Sequence, residues 1–456
     1  MSILKDRLAS RDSLPIIMTV LPALIFYTIL IPRIINLPFA DDYEILEFLA
    51  GFRQIHGLWS KLIYVLTTQH NEYKLILGHS IFTVQYLLLG HVSFTGLCFL
   101  GDMSILCLAI VLWKMFLPEQ TNLARRIALF IPVSWLLFQL SYSETLNWAE
   151  PALQNLYVLV FSFAAFVLLA RGSVRGFAAA LLCLVFAIAA SGNGFFAALA
   201  GLLLLLNKKQ FQRMIGWICV CSLMALLYAW HYNVMASQSS RHGSIFSAIK
   251  DLKVMYAFSF LGAMGEIGGY LIPHSNRTID SFILGILLCG LLGLLTYRRR
   301  LSKNPAVNAA ILFILLTAIG VAGIRSDFGA EQSTSSRYRI YSSLLLILIW
   351  YTLSEQWLQF SQKRLWQSWS YRIACLAAAG LSLVYDVGGA RYLQTRNATV
   401  IQGMQIYEHP SEAGSTKGPL FTDRSHTISF SPSFNLFARQ LLSESERDGT
   451  YQPPPY

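Results

Sequence analysis

Long apolar runs alternate with short polar breaks along most of the chain. The first run covers residues 14–37 and ends on Ala40-Asp41-Asp42-Tyr43-Glu44. Runs of about 20 apolar residues are what a helix needs to cross a bilayer core. Further runs end near Leu117, Leu140, Arg171, Ser191, Lys208, Tyr232, Tyr297, Ile324, Lys363 and Val387. Together they predict an all-α polytopic membrane protein with about eleven transmembrane helices.

Two stretches break the rhythm. Residues 43–92 hold no clean span. Ile45, Leu46, Phe48, Leu49, Phe52 and Ile55 recur there at helical spacing, with Glu44, Glu47, Arg53 and Gln54 between them. That pattern predicts an amphipathic helix lying along the membrane interface. A second is expected over 75–89, interrupted by His79 and Gln85. Residues 254–272 are apolar but carry Gly262, Gly265, Glu266, Gly268 and Gly269. A re-entrant or interfacial segment, covered by protein, is expected there.

Composition agrees with the pattern. The 456 residues are 55% hydrophobic and only 13% charged, against roughly 25% for soluble domains. The net charge of +11 does not point to nucleic acid. Its Lys and Arg gather in short breaks: Arg125-Arg126, Arg171 with Arg175, Lys208-Lys209, Arg298-Arg299-Arg300. Such breaks, with Lys5, Arg7 and Arg11, mark the cytoplasmic side. The N-terminus is therefore expected inside and the loop 38–92 outside. The run after Arg11 is too long for a signal peptide and lacks a small-residue cleavage site, so it counts as a first helix. The expected division is a membrane domain, 1–387, and a small extracytoplasmic tail, 388–456. The tail should hold a short helix near 436–442 and an extended or disordered Tyr451-Gln452-Pro453-Pro454-Pro455-Tyr456. The bacterial inner membrane is the expected location. The seven cysteines sit in or beside apolar runs and count as packing residues.

The candidate chemistry lies on the expected outer face. Asp41 and Asp42 follow the first helix. One of them, followed by Glu44, can cap the amphipathic helix; one can serve as a general base or bind a divalent cation such as Mg or Mn. His70, Asn71, Glu72 and Lys74 lie between the two interfacial helices and are candidates for substrate binding. Arg325, Arg337 and Arg339 run against the basic-inside rule, so they need another task. A guanidinium fork suits phosphate; pairing with Asp327 or Glu331 is the structural alternative. Arg241-His242 is a weaker candidate of the same kind. Glu144 and Glu150, near Trp148, are expected to serve structure or sugar contact.

One carboxylate, with cations to receive a leaving phosphate, suits single displacement of a sugar from a polyprenyl-phosphate carrier. The chain resembles the GT-C class of integral-membrane glycosyltransferases, in particular an uncharacterised bacterial branch. The resemblance lies in the layout and in three short motifs. These are Phe39-Ala40-Asp41-Asp42-Tyr43, Gln69-His70-Asn71-Glu72-Tyr73-Lys74, and Ser336-Arg337-Tyr338 with Tyr341. The second motif usually reads His-Asn-Glu-His-Arg in that branch; Tyr73 and Lys74 depart from it. The resemblance implies an inverting transferase with Asp41 or Asp42 as base or metal ligand. Its partners would be a lipid-linked sugar donor, a glycan, lipid or protein acceptor, and membrane lipids, without nucleic acid. The competing expectations are a flippase of lipid-linked glycans and an O-antigen polymerase or ligase.

Overall fold

The computed structural model describes residues 13–69, 73–116, 122–233, 254–267, 276–325, 329–360, 368–408 and 432–454. Sixteen α-helices are described. They are α1 (Ser13–Leu30), α2 (Tyr43–Gln54), α3 (Leu58–Thr67), α4 (Ile76–Leu89), α5 (Phe94–Met115) and α6 (Leu123–Leu137). Then come α7 (Ala149–Arg171), α8 (Val174–Ala190), α9 (Gly194–Asn207), α10 (Phe211–Ala229) and α11 (Val254–Leu261). The last five are α12 (Arg277–Tyr297), α13 (Pro305–Arg325), α14 (Ser336–Phe360), α15 (Trp369–Glu408) and α16 (Pro432–Arg447).

Local chemistry sets several boundaries. Side-chain oxygens of Ser93, Asn122, Ser173 and Asn276 accept backbone N–H groups in the first turns of α5, α6, α8 and α12. That supplies partners for donors which a helix start leaves open. Gly90 and Gly172 close α4 and α7 in the left-handed conformation, with φ of 76° and 72°.

Eight helical segments are long and apolar enough to cross a bilayer: Leu14–Arg33, Leu123–Tyr142 and the helices α5, α7, α10, α12, α13 and α15. The expected fifth and sixth spans are helices too, but α8 and α9 have only 17 and 14 residues. The expected tenth, α14, has 25 residues, but serines, arginines, glutamines and a glutamate dilute its apolar run.

Small residues let the bundle close. A Cβ on Gly101 of α5 would sit 2.5 Å from that of Ala152 on α7. Gly285 of α12 would meet the Phe258 carbonyl of α11 at 1.9 Å, and Gly262 would meet the Ser281 carbonyl at 2.0 Å. Without a hydrophobic drive between lipid-facing helices, such backbone approach is what holds them. The stretch 254–267 is thus a short helix and a 3-10 turn, Ala263–Ile267, laid tightly on α12.

A second apolar cluster caps one end of the bundle. It joins Tyr43, Leu46 and Phe48 of α2, Phe82 of α4, Val400 and Met404 of α15, and Leu442 of α16 with Tyr451. We call it the head. It contains a helix absent from the sequence expectation, α3, which exposes Leu58 and Trp59. The boundary expected after Val387 falls inside α15, one helix of 40 residues. Nor is Tyr451 loose. It is fully buried, donates to the Asn36 carbonyl at 2.6 Å and packs edge-on against Phe94. The opposite end of the bundle carries the basic breaks. There Arg126 donates to the Trp113 carbonyl at 2.7 Å and Lys208 to that of Ala170.

Candidate functional site

Asp41 and Asp42 sit in a 3-10 turn, Ala40–Asp42, between α1 and α2. Ala40 holds it in the left-handed region, with φ of 48°. A residue with a Cβ adopts that conformation at a cost, so the turn is held by its surroundings. Asp42 does the holding. It is 1% exposed; Oδ2 accepts the Phe39 N–H at 3.2 Å and Oδ1 accepts the Glu150 N–H at 3.0 Å. Its carboxyl therefore caps α7, not the helix it precedes, and α2 starts without a side-chain cap. The local cap expected from Asp41 and Glu44 does not form. Burial pushes the Asp42 carboxyl up to about 7, with the two N–H groups pulling the other way.

Asp41 is placed differently. It is half-buried, and its carboxylate has no hydrogen-bond partner among the described residues. It lies within electrostatic range of Glu150 and of Arg337.

Arg337 stands on the first turn of α14. Its Nε donates to Ser335 Oγ at 3.3 Å, and no hydrogen bond of Nη1 or Nη2 is found among the described residues. Glu144 fixes this turn. Its Oε2 accepts Ser335 Oγ at 2.6 Å and the Arg337 N–H at 3.4 Å. Glu144 thus caps α14 as Asp42 caps α7, in each case from a distant segment. Arg325, the last residue of α13, lies within electrostatic range of Arg337 and donates to the Tyr73 hydroxyl at 3.3 Å. Tyr256 of α11 lies within range of both arginines. The end of the bundle thus brings together the half-buried carboxylates of Asp41 and Glu144, the guanidinium groups of Arg325 and Arg337, and the phenols of Tyr73, Tyr256 and Tyr338.

The remaining expected residues are distributed otherwise. Arg339 is 7% exposed and committed to protein groups. It pairs with Glu266 and donates to the carbonyls of Ser141, at 3.1 Å, and Thr334, at 3.3 Å. It braces the 254–267 segment against α14 and has no free edge for a phosphate. Lys74 is fully buried; its ammonium donates to the Trp230 carbonyl and its N–H to the Tyr228 hydroxyl at 3.1 Å. It fastens the loop before α4 to the end of α10. His70, Asn71, Glu72, Arg241 and His242 lie outside the described residues. No group of three His, Cys, Asp or Glu fit to hold a metal ion occurs among the described residues. Among the described residues no third donor converges with Asp41 and Asp42, and no step through a divalent cation is derived.

Three supporting residues escaped the sequence reading. Arg396 of α15 donates to the carbonyls of Leu146 and Asn147 at 3.1 and 3.0 Å and lies over the Phe39 ring. Asp102 of α5 accepts the Asn147 N–H at 3.3 Å. Asp386 accepts the Leu140 N–H at 2.9 Å. Together they brace the loop between α6 and α7, against which Phe39 packs edge-on through Trp148. The signal was present: charged residues inside apolar helices rarely stand without a task.

Compared with known protein families, with curated proteins and with solved structures, the chain shows no match.

Proposed function

We propose that the protein is a membrane glycosyltransferase that moves a sugar from a polyprenyl-phosphate donor to an acceptor hydroxyl. One observation carries the proposal: a half-buried Asp41 carboxylate lies within electrostatic range of an arginine whose Nη1 and Nη2 have no hydrogen bond among the described residues. The two needs of the reaction are a base for the incoming hydroxyl and a cation for the outgoing phosphate. Asp41 meets the first and Arg337 the second, with Arg325 adding charge beside it.

The acceptor oxygen attacks the anomeric carbon as the bond from that carbon to the phosphate oxygen breaks. The bonding electrons leave with polyprenyl phosphate, whose oxygens the Arg337 fork receives. The hydroxyl proton passes to Asp41. A single displacement inverts the anomeric centre. Asp42 acts as a positioning residue, holding the 3-10 turn to the start of α7. The basic breaks at the far end of the bundle support a cytoplasmic placement for that end. The site then faces outward, where eleven crossings would also place the C-terminal segment.

The test is turnover by the purified full-length protein, read as release of polyprenyl phosphate from polyprenyl-phosphate sugars. Asp41→Asn should lower turnover roughly 10²–10⁴-fold. Arg337→Lys should also be impaired, because an ammonium cannot grip phosphate through two parallel bonds. Full turnover by Asp41→Asn would remove it as base. Transport of a lipid-linked glycan without cleavage would favour a flippase.

A further inference from the structure

Beneath α2, α3 and α4 lies a half-open cavity of about 210 Å³, whose lining includes neither Asp41 nor Arg337. Its charge is one-sided. Glu44, Glu47 and Glu150 line it, and His79 is the only basic side chain among its described lining residues. Glu150 is 4% exposed, and its carboxylate has no hydrogen-bond partner among the described residues. A buried carboxylate without a partner is costly; it is relieved either by keeping its proton or by a cation supplied from outside, and the cavity beside it leaves room for the cation.

Aromatic rings line the same cavity. The Phe48 ring stacks on His79 at 4.2 Å and on Tyr64 at 5.2 Å between centroids. Gly51 is what admits Tyr64: a Cβ there would stand 2.3 Å from its hydroxyl. Carboxylates and aromatic rings lining one cavity form a setting for an organic cation. A metal ion fits less well, because no three such donors converge on a point among the described residues. A neutral sugar would stack on the rings but would leave the Glu150 carboxylate unbalanced. The volume, below the ~300 Å³ of drug-sized sites, suits one small headgroup or one sugar ring.

We propose that this cavity binds a primary ammonium group, carried by an amino sugar or by a phosphatidylethanolamine headgroup, with Glu150 as its principal ligand. The claim goes beyond the transfer reaction and does not depend on it.

The test reads binding alone. Full-length protein in phosphatidylglycerol nanodiscs is titrated calorimetrically with glucosamine, ethanolamine, glucose and N-acetylglucosamine. Glucosamine and ethanolamine should bind, and the two neutral sugars should bind at least ~tenfold more weakly. Glu150→Gln, nearly isosteric, should weaken glucosamine about tenfold or more, and Glu47→Gln on the rim should weaken it less. A circular-dichroism melt checks that each variant is folded. Repeating the titration in phosphatidylethanolamine nanodiscs separates the sources: a lipid ligand competes and lowers the apparent glucosamine affinity, while a sugar ligand leaves it unchanged. Equal binding of glucose and glucosamine, no binding of either amine, or full affinity in folded Glu150→Gln would each overturn the proposal.

Discussion

In the bundle, Gly101 lies on Ala152 and Gly285 on the Phe258 carbonyl; in the head, Tyr451 reaches the carbonyl of Asn36 and Asp42 caps a helix 108 residues further on. The bundle closes by removing side chains until backbones touch. The head closes by adding large side chains, and the polar ends of Tyr451 and Asp42 reach partners far along the chain. The first mode suits a lipid surrounding, where burial of apolar area gives no drive to association. The second suits an aqueous boundary, where burying a ring and satisfying its hydroxyl both count. The candidate site lies where the two modes meet, and its parts come from both.

The contrast can be broken most sharply at Tyr451. Tyr451→Ala removes a fully buried ring and its bond to Asn36, a loss of ~3–5 kcal/mol for comparable aromatic truncations. Limited proteolysis should then cut the head, at residues near α2 and α16, while the bundle stays protected. Uniform destabilisation of both layers would show that they fold as one unit. Gly285→Ala tests the bundle. The added methyl runs into the backbone of α11, and overpacking of this kind costs ~1–3 kcal/mol. Its thermal melt should fall without new cleavage in the head.

The last test is read as a slope across pH. In the folded protein Asp42 holds its proton up to about 7, against an ordinary value of 3.8. Between those values the folded state binds more protons than the unfolded chain. Stability should therefore fall as pH rises from about 4 to about 7 and level off above. Asp42→Asn should flatten that slope. An unchanged slope would assign it to another group.

Much of the bundle was legible because a membrane helix announces itself by local composition. The eight apolar segments occur where the runs predicted them. The head was not, because its order comes from contacts across hundreds of positions. Nothing near Tyr451 or its three prolines signals a pocket 415 residues earlier in the chain. Helix α3 was missed for a different reason: its apolar residues Leu58, Trp59 and Leu62 remain exposed, so no burial pattern surrounds it. Within the site, residue type pointed to Asp41, Asp42 and Arg337, but not to their division of labour. That division depends on which carboxylate meets the α7 backbone, a fact of packing. Arg339 shows the same limit. Its charge invites a phosphate, yet Glu266 occupies it from a stretch over seventy positions away.

Helix α15 has a consequence of its own. At 40 residues it is about 60 Å long, twice the ~30 Å of a bilayer core. It is tied to the bundle at Asp386, bonded to Leu140, stays in the bundle core at Leu393, is bonded at Arg396 and Asn397 to Leu146, Asn147 and Arg33, and enters the head at Val400. An uninterrupted helix turns about 100° and rises 1.5 Å with every residue. The rotational phase of the head about the bundle, and its height above the lipid, are therefore both counted out in residues between 386 and 396. One residue more or fewer would swing Arg396 away from Phe39 and so misalign the turn that carries Asp41. The long helix works as a key cut to length, and the depth at which a lipid-borne phosphate meets the site is part of its cut.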